Sequence, residues 1–100
     1  MTVIYDDSLI EYMKRKNKEN ILVEVASSNT SDFDVSELYL RFVPDKFADT
    51  LIASKHYRSV EAPVGRLVLP PYHMHIGDTV SVHLKSFFFI KWIKQEGLKL

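Results

Sequence analysis

One hundred residues, 46% of them hydrophobic and 26% charged, suffice for one domain, residues 1–100, with a buried core and argue against disorder. The absence of cysteine excludes disulfides, thiolate nucleophiles, sulfur-ligated zinc fingers and cysteine-held iron–sulfur clusters. The 13 basic and 13 acidic side chains cancel, but residues 1–50 carry six against ten and residues 51–100 seven against three, a split that solvated faces ordinarily show and that also steers charged partners.

The opening Met1-Thr2-Val3-Ile4-Tyr5-Asp6-Asp7 places acid where a secretory signal carries base and then an apolar run, so the expected location is cytoplasmic. Val3 to Tyr5 reads as a short edge strand. Asp6, Asp7 and Ser8 offer N-cap oxygens to a helix, with Ser8 and Glu11 at capping-box spacing. Leu9, Ile10 and Met13 share one helical face, and Lys14, Arg15, Lys16 and Lys18 crowd the end where the dipole favours cations. Asn17 and Asn20 are its stop signals.

From Ile21 the period becomes two: Ile21, Val23 and Val25 alternate with Leu22, Glu24 and Ala26, predicting a strand with one buried face. Ser27 to Asp34 reads as a polar loop: a connector, or else a binding lip or a phosphorylation site. Leu38, Leu40 and Phe42 predict a second strand, ended by Pro44-Asp45. Residues 44–58 are ambiguous; Phe47, Leu51 and Ile52 suit a short helical turn that no capping residue bounds. Further strands are predicted at Tyr57–Glu61 and Arg66–Leu69, a turn at Ile76-Gly77-Asp78, and a clean strand at Thr79–Lys85. Phe87 to Ile93 is apolar on both faces, which predicts a covered central strand, with Gly97 releasing a tail. The sum is an α+β fold, mostly β, with one N-terminal helix and six or seven short strands.

The opening strand and the helix Asp7-Ser8-Leu9-Ile10-Glu11-Tyr12, the strand Ile21-Leu22-Val23-Glu24-Val25-Ala26 entering a small-residue loop, and the closing Leu84-Lys85-Ser86-Phe87-Phe88-Phe89-Ile90-Lys91 with Glu96-Gly97-Leu98-Lys99 behind it together resemble the HesB-like family of iron–sulfur biogenesis proteins, near its CC/Se-motif branch. The resemblance implies a small β-sandwich-type domain. It departs at the loop after the second strand, where that branch carries adjacent cysteines and this chain reads Ser27-Ser28-Asn29-Thr30-Ser31. A serine hydroxyl stays protonated and ligates iron poorly, so the resemblance implies the fold without cluster carriage, and no cofactor is expected.

His73-Met74-His75 is the sharpest local chemical signal. Two positions apart on a strand share a face, so His73 and His75 suit one transition-metal ion, with His83 or Asp78 assisting across a predicted hairpin. The competing reading is two solvent-facing histidines on a strand. No nucleophile elbow, P-loop or dinucleotide fingerprint occurs among only three scattered glycines, so no enzyme activity is expected. Lys85 to Lys94 alternates aromatics with lysines as single-strand binders do, yet neutral net charge and the need for core filling favour a buried strand and no nucleic-acid partner. No membrane partner is expected either: the longest apolar run is far below the ~20 residues of a span, and read as a helix it places Lys91 beside Phe88. The expected molecule is therefore a HesB-like binding or interaction module, monomeric or weakly dimeric, with a protein partner left open; the alternative is a metal-binding protein using His73 and His75.

Overall fold

The computed structural model describes the backbone of residues 1–29, 34–71 and 74–99, with side chains described outside 26–37. The chain order is β1 (Thr2–Tyr5), α1 (Asp7–Arg15), β2 (Asn20–Asn29), β3 (Asp34–Val43), α2 (Asp45–Lys55), β4 (Arg58–Glu61), β5 (Arg66–Leu69), β6 (His75–Phe87) and β7 (Ile90–Lys99). The fold is α+β and mostly strand, as the alternating patterns require. It has two helices where one was expected.

Two sheets form. One has the order β1-β6-β7, with β1 parallel to β6; the other has the order β3-β2-β5-β4, with β2 parallel to β5. Val3, Tyr5, Val80, Val82 and Leu98 from the first sheet meet Ile21, Val23, Leu67 and Leu69 from the second, and α1 adds Leu9 and Met13 to this interior. The opposite face of the second sheet presents Leu22 and Val68 to Val43 and to Ala48 of α2. β2 and β5 are thus covered on both faces, which is why Leu22 is apolar although it breaks the alternation.

Asp6 sets the start of α1. Its Oδ1 accepts from the Leu9 amide at 2.9 Å and, more distantly, from the Leu84 amide at 3.5 Å, so the cap also touches β6. At the other end Asn17 takes φ 55°, and the Lys18 amide donates to the Met13 carbonyl at 2.8 Å. This is the predicted asparagine stop.

Helix α2 lay in the ambiguous stretch for a physical reason. Its N-cap is Pro44, which has no side-chain oxygen to offer, and it ends at His56 with φ 61° in place of the usual glycine. Tertiary contacts supply what the caps lack. Arg66 on β5 bridges Asp45 at 3.3 Å and Asp49 at 2.9 Å, both on the first turns of α2.

Four other expectations are corrected. The Ser27–Asp34 loop is shorter, because Ser27, Ser28 and Asn29 continue the ladder opposite Ser36, Val35 and Asp34. Ile76-Gly77-Asp78 is not a turn; β6 runs through it with a register irregularity between Ile76 and Ser81. Gly97 releases no tail but lies within β7 at φ 110°, where a Cβ would stand 2.4 Å from the Thr79 carbonyl oxygen. The fourth correction concerns Phe87 to Ile93.

Candidate functional site

The predicted central strand Phe87–Ile93 is instead the end of a hairpin. Phe87 pairs with Ile90, leaving Phe88 and Phe89 as a two-residue loop, and Phe88 adopts φ 56°. Turns of this kind favour glycine or asparagine where φ is positive, because a Cβ there meets the backbone. Nothing in Phe-Phe announces a turn, which is why the segment reads as one continuous strand.

The consequence is exposure. Phe87, Phe88, Phe89 and Ile90 are 62%, 84%, 101% and 66% accessible, with Trp92 at 39% close behind. At the usual area of an aromatic side chain this is roughly 500 Å² of apolar surface, the upper range for a whole monomer, gathered at one tip. Phe87 and Phe88 pack edge to face at 4.5 Å, so the tip has some internal order of its own. The sequence places these residues in the core because Phe and Ile are usually buried; the signal against it is the summed length of two strand patterns, too long for a strand of ordinary size.

Register fixes what surrounds the tip. Directly opposed residues share a face, so Lys85 with Trp92 and His83 with Lys94 lie on the face of Phe87 and Ile90, while Ser86 with Lys91 and Leu84 with Ile93 lie on the other. Leu84 and Ile93 lead that second face into the interior. Lys91 sits just outside it, its Nζ 4.8 Å from the centre of the Tyr12 ring, and the Arg15 guanidinium lies 6.0 Å from the same ring. Between them runs a cleft of about 240 Å³ whose lining includes Ser8, Glu11 and Ser86. A wider groove of about 470 Å³ separates β7 from the free edge of β3 and is floored by Leu38, Leu40 and Ile93.

The described histidines do not converge. His73 lies outside the described residues. His75 opens β6 opposite Lys99, and His83 stands eight residues further along the same strand, not across a hairpin from it. At strand rise that is about 20 Å or more, too far to share an ion. His83 Nδ1 instead approaches Asp6 Oδ2 at 3.6 Å. Asp78 belongs to the irregular part of β6. Among the described residues no three His, Asp or Glu side chains form a metal-ligating group.

One polar cluster and one buried hydroxyl are structural in their geometry. Asn20 is buried; its Oδ1 accepts from the Arg66 amide at 3.0 Å and its Nδ2 donates to Asp45 Oδ1 at 2.7 Å. That amide, then a hydrogen bond from Glu19, and then Arg66 hold the Asp45 carboxyl below its ordinary range, while the hydrogen bond to Asp45 raises Glu19. Tyr5 is buried with its hydroxyl unpaired among the described residues, and burial drives its ionisation far above the usual range.

No helix among the described residues is long and apolar enough to cross a membrane. No protein-family model, no curated protein and no solved structure matches this chain.

Proposed function

We propose that the chain is a cytosolic HesB-like domain without cluster ligands that works as a non-enzymatic binding module, and that the β6–β7 tip is its contact surface. One observation carries the docking role: four consecutive apolar side chains stand in solvent on a turn whose backbone disfavours them. An L-residue in the left-handed region costs about 1–2 kcal/mol, which glycine at position 88 would not incur. Phe89, wholly accessible, contributes nothing to the interior. Neither the turn nor the core accounts for two phenylalanines there, whereas burial against a partner does.

The family reading is supported by element order. An edge strand feeds a capped helix, a long hairpin follows with Ser27 and Ser28 near its end, and a second long hairpin closes the chain. The lack of cysteine suits a role without a bound cluster.

The docking role is tested with Phe88→Ser/Phe89→Ser. Retention of the protein on a phenyl-substituted matrix should fall sharply while thermal unfolding stays within a few degrees of the parent. Unchanged retention, or collapse of the fold, refutes it. The family reading is tested separately with Ser27→Cys/Ser28→Cys: failure of that variant to take up a cluster from iron and sulfide counts against the assignment.

A further inference from the structure

The tip's chemistry specifies a partner more closely, on the premise that the tip is the contact surface. Between His83 and Lys94 the chain carries Lys85, Lys91 and Lys94 and no acid at all. The nearest carboxylate along β7 is Glu96, opposite Ser81 and well down the hairpin. The register places Lys85 and Lys94 on one face of the ribbon and Lys91 on the other. The apolar end is therefore a wedge with Phe87, Ile90 and Trp92 on one face and the Phe88-Phe89 loop at its edge, and with cations on both faces at its foot. Arg15 adds a cation beside Lys91, where Glu11 is the only acid in the cleft lining.

The vertical order matters as much as the sign. Lys91 follows Ile90 directly and Lys85 precedes Phe87 by two residues, so these two cations sit about 3–7 Å behind the last paired apolar residues, with Lys94 about 13 Å behind Ile90. Interfacial protein segments bury their apolar side chains about 5–10 Å into the headgroup and acyl boundary, with lysines on the phosphates and tryptophan at headgroup level. Phe88 and Phe89 at the end, Trp92 two residues behind Ile90, and lysines around the foot follow that order. A pocket on a protein would meet the wedge mainly from one side and has no need of cations on both.

We infer that the β6–β7 hairpin inserts into the surface of an anionic lipid bilayer, with Phe88 and Phe89 entering the acyl boundary and Lys85, Lys91 and Lys94 on the lipid phosphates. This is surface docking by a hairpin. It needs neither a spanning helix nor an amphipathic one.

Trp92 is the only tryptophan and reports directly. The protein is titrated with vesicles of phosphatidylcholine alone and with 30% phosphatidylserine, with and without lipids brominated along the acyl chain. The expected result is a blue shift and bromine quenching of Trp92 on the anionic vesicles, weakened by high salt. Phe88→Ser/Phe89→Ser should lower the partition coefficient at least tenfold. Lys85→Gln and Lys91→Gln should each lower it about fivefold on anionic vesicles and leave it unchanged on neutral ones. No partitioning onto either composition overturns the inference, as does partitioning indifferent to the tip substitutions. If vesicles fail but the parent self-associates in sedimentation and Phe88→Ser/Phe89→Ser does not, the lipid inference falls and the docking reading stands with a second copy as partner. A Trp92 response to a single-stranded oligonucleotide in place of vesicles likewise overturns the lipid assignment. If Phe88→Ser/Phe89→Ser matches the parent in every assay, both readings fall.

Discussion

Asn20 is the joint where β2, β5 and α2 meet, and replacing it with alanine gives a quantity that can be worked from the geometry. The substitution removes an acceptor for the Arg66 amide at 3.0 Å, a donor to the Asp45 carboxylate at 2.7 Å and a long contact to the Val43 carbonyl at 3.4 Å. A neutral hydrogen bond contributes about 1 kcal/mol net and one to a charged group about 1.5–3 kcal/mol; the 3.4 Å contact adds little. Because Asp45 reaches water on its other side, part of its lost partner is replaced by solvent. The expected cost is about 2–3 kcal/mol, a shift in Tm of roughly 10–20 °C for a domain of this size. Urea unfolding should show a lower midpoint with an unchanged slope, since the exposed surface is the same. Asn20→Asp separates hydrogen bonding from packing. It keeps the acceptor for Arg66 but sets a carboxylate against Asp45, so one carboxyl of the pair gains a raised pKa in the folded state. Stability tied to a raised pKa is present at low pH and lost as pH rises through it, so Asn20→Asp should recover on acidification while Asn20→Ala does not. A cost for Asn20→Ala below about 0.5 kcal/mol would refute the claim that this buried amide organises the joint.

Other substitutions follow from the same contacts. Tyr5→Phe removes a buried hydroxyl that has no partner among the described residues, so it should be neutral or raise stability by about 1 kcal/mol; a loss above 1 kcal/mol in chemical unfolding would show that the hydroxyl is satisfied. Gly97→Ala forces a side chain into φ 110° and against the Thr79 carbonyl, costing about 3 kcal/mol or more; melting near the parent value would mean that the two strands yield there. Asp45→Asn carries a pH signature. The lowered Asp45 pKa contributes stability above the ordinary carboxylate range that is lost as pH falls through its folded value, whereas the raised Glu19 pKa contributes stability at low pH that is lost as pH rises through its own. The gap in Tm between parent and Asp45→Asn should therefore be widest between the two folded values and narrow on both sides. A gap independent of pH would refute the carboxyl pairing.

Local chemistry already determined much of this molecule. Asp6 caps α1 because the chain offers an oxygen three residues before Leu9, and Asn17 ends it because asparagine tolerates the left-handed region. The alternation of Ile21, Val23, Val80 and Val82 fixed which faces of β2 and β6 turn inward, since a side-chain period of two leaves no other choice. Those signals are complete within a few residues. What tertiary structure alone decided are the features whose partners lie far away. Helix α2 has no side-chain cap at its N-terminus and is held there by Arg66 and Asn20, 17 and 25 residues distant from Asp49 and Asp45. The turn at Phe88-Phe89 is imposed by the pairing of β6 with β7 over nine residue pairs, which brings the chain back on itself at a dipeptide with no turn preference. That pairing, invisible to any local pattern, moved three phenylalanines from the expected interior to the surface. It did so because a hairpin's register sets the position of its turn whatever residues occupy it.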